Sequence, residues 1–472
     1  MKTSTMALML TKARLQSRKG STLLDVFALI AYAVSATLIL TTLGGVWMFW
    51  QRAENHIEHE IATLMGTERD MISDFAFIHV TFAFLALALL AIPLLSVGAG
   101  AARLGANGRA QRLASLRLLG VSGRQVMMMS VLETSLLASL GFLMGLFGYI
   151  VTMPLWSNIT FQMIPIRQGE MMLTWWQLIL AYLLFVAITV ISTLTAHIQV
   201  SISPLGVARR HTPQALRAWR LAVLVLAIGL VTYTTSDYSP FASGHKEMLT
   251  MVASFVIFFA SFSLVGPWFI QLVTRLLVRG RSASTLLATR RVVGDPRGAW
   301  RGISAVALMS LVATIVTTTV EVGIEVETTD EITQQVVQLT DILLKDISVG
   351  VLIAFGFALI LSAVSTLIHQ TADVFDRQEE AESLAYIGTP LRTLHVARIK
   401  QVLGPLVLSL VISLIVGYLP PWLSGISVGD TAENSGLLLT MYGLGIGLTL
   451  LSVAATIPVQ HRVLAERGRR ND

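Results

Sequence analysis

The sequence predicts an all-α polytopic membrane protein of about ten transmembrane helices, arranged as two parallel four-helix repeats joined by a two-helix spacer. Three observations predict this fold. Of the 472 residues, 54% are hydrophobic and only 13% are charged, and the mean hydropathy is +0.71. The apolar residues fall in runs of about 20, the length that crosses a bilayer as a helix. A short motif also recurs between matching apolar runs.

The ten predicted spans follow in order from these apolar runs. They lie near residues 25–49, 78–100, 126–152, 176–198, 219–236, 248–274, 303–320, 347–368, 399–419 and 436–458. Alternate connections are basic, as around Arg109 and Arg297, and those between them are acidic, as around Glu58. Because basic loops stay in the cytoplasm, we expect both termini there. The net charge of +6 is explained by these flanks, and we predict no nucleic-acid partner.

One short motif occurs twice, with each residue 268 positions from its counterpart. The motif residues are Ser115, Leu116, Gly120 and Arg124 in the first copy and Ser383, Leu384, Gly388 and Arg392 in the second. An even number of predicted spans separates the copies, so both repeats enter the membrane from the same side. We therefore predict a first four-span repeat at 1–210, a two-span spacer at 211–280 and a second four-span repeat at 281–472.

In physical terms, each copy of the motif predicts a short helix ended by a glycine, then a turn and a new helix. Such a helix lies across the start of the following span and can receive a force. A basic and partly apolar segment at 286–293 precedes the seventh span. It is either a helix on the inner leaflet or a cluster of charges that only sets the topology.

With these motif residues, the chain resembles the FtsX-like permease family of ATP-binding-cassette (ABC) transporters. That family carries Leu-Arg-x-Leu-Gly-x-Ser-x-Arg-Gln after its second span and a glutamate inside the third. The matching residues are Leu116, Arg117, Leu119, Gly120, Ser122, Arg124, Gln125 and Glu133. The second copy departs from the pattern at Ala385 and Gln401. The chain is most similar to the ten-span, bacitracin-resistance type, but residues 321–346 are a short acidic stretch where that type has a large extracytoplasmic domain.

The resemblance implies a permease subunit in the bacterial cytoplasmic membrane, with its two loop helices seated on two ABC ATPase subunits. No glycine-rich loop ending in Gly-Lys-Ser/Thr occurs in the sequence. We therefore expect no catalytic residues and no cofactor in this chain, with ATP and Mg bound by the partner ATPase. The coupling residues that the resemblance implies are Leu116, Arg117, Leu119, Gly120, Ser122, Arg124, Leu384, Gly388 and Arg392.

The expected cargo is an amphiphilic peptide or lipid-like molecule, exported or extracted from the outer leaflet. The cargo candidates are Trp156, Phe161 and Met163 in an apolar outer loop and Glu321, Glu325 and Glu327 in an acidic one. The apolar loop either receives an amphiphile or only lies among the membrane lipids. The acids either concentrate cationic cargo or reflect only the exclusion of basic residues from outer loops. The alternative function is a mechanical transmitter that activates a cell-wall hydrolase or sensor kinase and transports nothing.

Two further polar features have open interpretations. Glu133 lies in the third span, where an ionised group is costly and either functional or paired near the interface. His56 and His59 have a spacing that can chelate a metal, but no further ligand is evident, and we predict no metal site.

Small residues predict close helix packing in two spans. They are Gly141, Gly145 and Gly148 in the third span and Gly443, Gly445 and Gly447 in the tenth.

Overall fold

The computed structural model describes residues 21–54, 57–65, 75–91, 94, 97–98, 100–101, 122–201, 219–236, 245–277, 282–320, 331–423 and 432–458. Over these residues the chain is a bundle of long helices with one two-stranded β-hairpin. Seven of the helices are long and apolar enough to cross a bilayer. The chain is therefore an α-helical, multi-pass membrane protein.

The helices are as follows in chain order. The first group is α1 (Ser21–Glu54), α2 (Glu58–Met65), α3 (Phe75–Ala91), α4 (Gly123–Trp156), α5 (Trp175–Ser201), α6 (Trp219–Ser236) and α7 (His245–Leu277). The second group is α8 (Ala283–Gly294), α9 (Pro296–Val320), α10 (Glu331–Asp376), α11 (Gln378–Tyr386), α12 (Leu391–Leu423) and α13 (Ala432–Ala455). The strands β1 (Thr160–Phe161) and β2 (Ile164–Pro165) pair antiparallel between α4 and α5.

All ten predicted spans overlap helices of the structure. Three of these helices, α3, α6 and α9, are shorter or less apolar than the seven that meet the criteria for a membrane span. The number of ten crossings therefore stays a prediction. The segment at 286–293 lies within α8, which buries Ala288, Arg291 and Val292. Its buried face packs against α7 and α12, so the segment is an integral part of the bundle.

Glycines on α4 allow this helix to pack closely against α1. A Cβ atom on Gly141 would lie 2.3 Å from the Cβ of Tyr32, and one on Gly145 would lie 2.5 Å from the Cβ of Ala36. The Thr37 hydroxyl also donates a hydrogen bond of 3.1 Å to the Gly145 carbonyl. Gly148 faces the same residue, with Thr37 Oγ1 at 2.7 Å from its added Cβ. The predicted packing face in the third span is confirmed.

The second half of the chain packs in a similar order. Just as α4 packs between α1 and α5, α12 packs between α9 and α13. Ser413, which stands 268 residues after Gly145, accepts a hydrogen bond of 2.8 Å from Ser310 on α9. A small residue is thus kept at this helix crossing, but here hydroxyl groups join the two helices.

The predicted small-residue face in the tenth span is wrong for two of its three glycines. A Cβ on Gly445 would lie 2.9 Å from Leu359, whereas Gly443 and Gly447 have no neighbour within 4 Å among the described residues. Residues two positions apart on a helix do not point in the same direction. For this reason one neighbouring helix cannot pack against all three glycines.

The bundle has two distinct ends. At the hairpin end, α1 and α4 finish and α3, α5 and α10 begin around strands β1 and β2. At the α11 end, α10 finishes and α9 and α12 begin, close to α8 and α11. Each end contains a candidate functional site.

Candidate functional sites

The second copy of the repeated motif forms the predicted helix, glycine and turn. Helix α11 ends at Tyr386, and Gly388 follows with a left-handed φ of +87°. The Thr389 N–H donates to the Leu384 carbonyl at 3.0 Å, which closes a Schellman-type helix end. The chain then restarts as α12 at Leu391. Gly388 therefore has a conformational role, because a side chain is strained at this φ.

The tip of α11 presents two large apolar side chains to the surroundings. Tyr386 is 82% exposed and Ile387 is 81% exposed. Arg392 is exposed beside them, and Leu384 is half-buried. An adjacent apolar pair this exposed, on a short helix rich in charge, is suited to contact another protein chain.

Ion pairs connect α11 to the rest of the bundle. Glu380 on α11 pairs with Arg291 of α8 at 3.1 Å and with Arg377 at 3.6 Å. Arg377 also pairs with Asp373 of α10 at 2.6 Å. The Gln401 side chain of α12 donates to the other oxygen of Asp373 at 3.4 Å. A displacement of α11 therefore shifts its ion pairs with α8 and with Arg377 next to α10. Through Asp373 the displacement also reaches α12.

The charge balance around Arg377 favours its ionised form. Burial alone would lower the pKa of the guanidinium. The facing carboxylates of Asp373, Glu380 and Asp295 outweigh this, so the pKa of Arg377 lies above its ordinary value. The network thus keeps its cation at every physiological pH.

The predicted coupling residues of the first copy are only partly within the described residues. Leu116, Arg117, Leu119 and Gly120 lie outside them. Ser122 caps the start of α4, because Gln125 N–H donates to its hydroxyl at 3.3 Å and its own N–H donates to Gln125 Oε1 at 3.1 Å. Arg124 is exposed in the first turn of α4. The motif therefore includes a capping box, a structural role for two of its residues.

The intramembrane polar position differs between the halves. Glu133 is only 5% exposed on α4, beside the buried residues Ser130 and Thr134. At the matching position of the second half, Gln401 donates to Asp373, so the acid stands on α10 instead of α12. The sequence alone could not show this exchange, because Asp373 and Gln401 lie on different helices.

An apolar cleft opens at the hairpin end between the two halves of the chain. It lies between α1, α3, α10 and the hairpin, with a cavity volume of about 110 Å³. Residues that line it include Phe49, Ala86, Leu90, Trp156, Phe161, Gly350 and Phe357. The buried indole N–H of Trp156 has no hydrogen-bond partner in the described part of the chain. An apolar cleft of this kind suits an apolar part of a ligand.

The cleft brings together only some of the predicted cargo residues. Trp156 and Phe161 line it. Met163 does not, and its side chain is 46% exposed. Glu321, Glu325 and Glu327 lie outside the described residues.

A buried arginine fastens the hairpin to the bundle. Arg52, at the end of α1, is 3% exposed and donates to the carbonyls of Phe161 at 3.0 Å and Pro165 at 3.2 Å. It also forms a 2.6 Å ion pair with Glu170. The loop is thus a folded cap on the end of the bundle. The sequence does contain a signal for this role, because Arg52 follows a predicted span on the acidic side, where basic residues are rare.

The turn of the hairpin is strained. Gln162 and Met163 have left-handed φ values of 57° and 64°, and neither is a glycine. Two-residue turns of this kind normally use Asn-Gly. A non-glycine residue in this left-handed conformation raises the free energy of the folded state by about 1–2 kcal/mol. Contacts with the surrounding residues must therefore hold the turn in place.

His59 is exposed on α2, and no group of three or more potential metal ligands occurs among the described residues.

No protein-family model matches this sequence, and no significant similarity to a curated protein or a solved structure was found. The fold therefore defines the class of protein, an α-helical multi-pass membrane protein. The family remains a prediction from the repeated motif.

Proposed function

We propose that this chain is the permease subunit of an ATP-driven transporter of the FtsX-like kind, which moves an amphiphilic peptide or lipid-like molecule. The observation that supports this most is the geometry of α11. It is a short helix with an exposed apolar tip at Tyr386 and Ile387. Its Glu380 forms ion pairs with Arg291 of α8 and with Arg377, and Arg377 in turn pairs with α10. A hydrogen bond from Gln401 connects α10 to α12. This arrangement receives force from a partner and passes it into the bundle.

In this proposal the α11 end is cytoplasmic and the hairpin end lies outside, with both termini inside. Two ATPase subunits bind one chain, one at each copy of the motif, and they supply ATP and Mg. Two four-helix repeats separated by a two-helix spacer provide the two docking helices. The similar packing of α1, α4 and α5 and of α9, α12 and α13 is consistent with such a duplication.

Helix α10 provides a direct mechanical path between the two sites. It contains 46 residues and is therefore about 70 Å long at 1.5 Å per residue. Asp373 near one end belongs to the α11 ion-pair network, while Gly350 and Phe357 line the cleft. Tilting or sliding of α10 changes the cleft when α11 moves. The apolar cleft holds an apolar part of the cargo.

The second candidate is a transmitter that activates a cell-wall hydrolase or sensor kinase without transport. The same α11 contacts would bind the ATPase of such a transmitter, but the cleft would then bind no cargo. An effect of amphiphiles on ATP turnover therefore discriminates between the two functions.

Photocrosslinking from Tyr386 tests the docking step. A benzophenone amino acid replaces Tyr386 in the full chain, expressed in its own host cell. We expect a crosslinked adduct that also carries a radioactive azido-ATP label, since the neighbouring chain must bind nucleotide. The same replacement at Tyr233, which is 69% exposed on α6, is the matched control and should give no such adduct. ATP-labelled adducts at neither position, or equally at both, would contradict docking at α11.

A further inference from the structure

A buried polar cluster joins the two halves of the chain at the hairpin end. The Nε2 atom of His79 on α3 lies 2.9 Å from Oδ2 of Asp346 on α10. His79 is 4% exposed and Asp346 is 9% exposed. The Nδ1 atom of His79 lies 2.8 Å from the carbonyl oxygen of Phe75. The N–H of Gln162 in the hairpin donates to the same Asp346 oxygen at 2.7 Å.

The hydrogen-bond geometry fixes the number of protons in this cluster. Both ring nitrogens of His79 face oxygen atoms that accept hydrogen bonds, Phe75 O and Asp346 Oδ2. A neutral imidazole carries only one N–H, so it can satisfy only one of the two oxygens. A second proton must therefore reside on the pair, either on Nε2 or on the carboxyl group. Without it, a nitrogen lone pair would face an acceptor oxygen in a buried site, either the Phe75 carbonyl or the Asp346 carboxylate according to the tautomer, which is unfavourable.

From this we infer that His79 and Asp346 form a proton-binding site shared by the two halves of the chain, and that the bound proton holds the hairpin against α10. The site does not depend on the proposed transport function. Separated from each other, a histidine and an aspartate at neutral pH are mostly neutral and ionised, respectively. The closed arrangement therefore contains one proton more than the separated side chains. By linkage, a rise in pH favours separation.

The hairpin turn opens more easily when its contact with Asp346 weakens. Gln162 sits in the strained left-handed turn, and its N–H is held by Asp346. The Gln162 side chain is fully buried, yet its amide has no hydrogen-bond partner among the described residues. A turn that is strained and carries an unsatisfied amide opens readily once an anchor is lost. Phe161, beside Gln162, lines the apolar cleft, so the proton site also controls the shape of the cleft.

Nearby charged side chains that the structure describes are engaged elsewhere or exposed. Arg52 pairs with Glu170, Arg167 pairs with Glu60, and Lys345 pairs with Asp341. Glu54 and His59 are exposed, and the faces of the His79 ring are covered by aromatic side chains, with Phe49 stacked at 5.7 Å and Phe75 edge-on at 4.7 Å. Among the described residues, His79 and Asp346 therefore form a separate polar cluster.

Spin labels across the hairpin and α10 test this site. The chain has no native cysteine, so Gln168→Cys and Gln338→Cys, both at exposed positions, label the two elements uniquely. Distances are measured by pulsed electron paramagnetic resonance on the full chain in lipid nanodiscs between about pH 5 and pH 8, where histidine titrates. We expect one short distance at the acidic end and a second, longer population that grows reversibly as pH rises. For one linked proton the ratio changes by up to about tenfold per pH unit.

Substitutions at His79 separate a proton effect from a structural one. In His79→Gln, the amide NH₂ donates to Asp346 without titrating, so the short distance should persist over the whole pH range. His79→Leu has no donor and should show the longer distance throughout. The exposed His59→Gln on α2 is the matched control and should keep the pH response of the natural chain. A distance that does not change with pH in the natural chain, or an unchanged response in His79→Gln, overturns the proposal. If His79→Leu does not fold, His79→Gln still decides the question.

Discussion

Replacing Arg52 with methionine is expected to detach the hairpin and to lower the stability of the protein more than any other single change at this end. The substitution keeps much of the side-chain volume but removes the guanidinium that donates to the carbonyls of Phe161 and Pro165. It also leaves Glu170 without its cationic partner, with only the backbone N–H of Arg167 as a donor at 3.2 Å. Removing one partner of a buried ion pair costs about 3–5 kcal/mol. Amide hydrogen exchange should therefore rise in residues 160–172, and the thermal unfolding temperature should fall.

The neighbouring ion pair provides a matched control. Arg167 and Glu60 also form a 2.7 Å pair at this end, but their side chains are 58% and 44% exposed. An exposed pair contributes less than about 1 kcal/mol, so Arg167→Met should change hydrogen exchange and the unfolding temperature little. If Arg52→Met and Arg167→Met had equal effects, burial would not be the source of the hairpin's anchorage.

Alanine at Gly141 is expected to disrupt the crossing of α1 and α4. Its added methyl group would lie 2.3 Å from the Cβ of Tyr32, a distance that forces the helices apart. Overpacking of this kind costs about 1–3 kcal/mol, and leucine at the same position should be worse. Thermal unfolding of the detergent-solubilised protein, followed by loss of the monodisperse peak in size-exclusion chromatography, measures the effect.

Gly229 on α6 is the control for helix propensity. Apart from the adjacent residues and the nearby backbone of its own helix, no atom of the described residues lies within 4 Å of a Cβ built on it. Because alanine forms helices better than glycine, Gly229→Ala should be neutral or slightly stabilising. A Gly141→Ala protein as stable as the natural chain would show that α1 and α4 can separate without cost.

The apolar runs predict where the helices are, but not where they end. The predicted first and eighth spans, 25–49 and 347–368, lie inside the longer helices α1 and α10. Hydropathy detects only the membrane-embedded part, whereas polar residues such as Gln338 and Lys345 continue the helix beyond it. The motif likewise predicts α11 and its glycine end, because a left-handed Gly388 has a local sequence signal.

The contacts that build the two sites could not be predicted in this way. His79 and Asp346 are 267 residues apart, and Arg52 and Glu170 are 118 apart. Nothing local in the sequence pairs them, because their meeting depends on how whole helices pack. The glycines of α4 show the intermediate case. Their spacing predicts a packing face, while its partner, Tyr32 on α1, appears only in the structure.

The central claim, that this chain couples a separate ATPase to an amphiphile, is tested most directly by ATP turnover. The tagged full chain is purified from its own host membrane and placed in nanodiscs. We predict that an ATP-hydrolysing chain copurifies at about two copies per permease, in keeping with the two copies of the motif. An amphipathic peptide should raise its rate, and aspartate at both Tyr386 and Ile387 should abolish that stimulation. Purification of a well-folded chain with no associated ATP hydrolysis, or a rate unaffected by these aspartates, would contradict the claim.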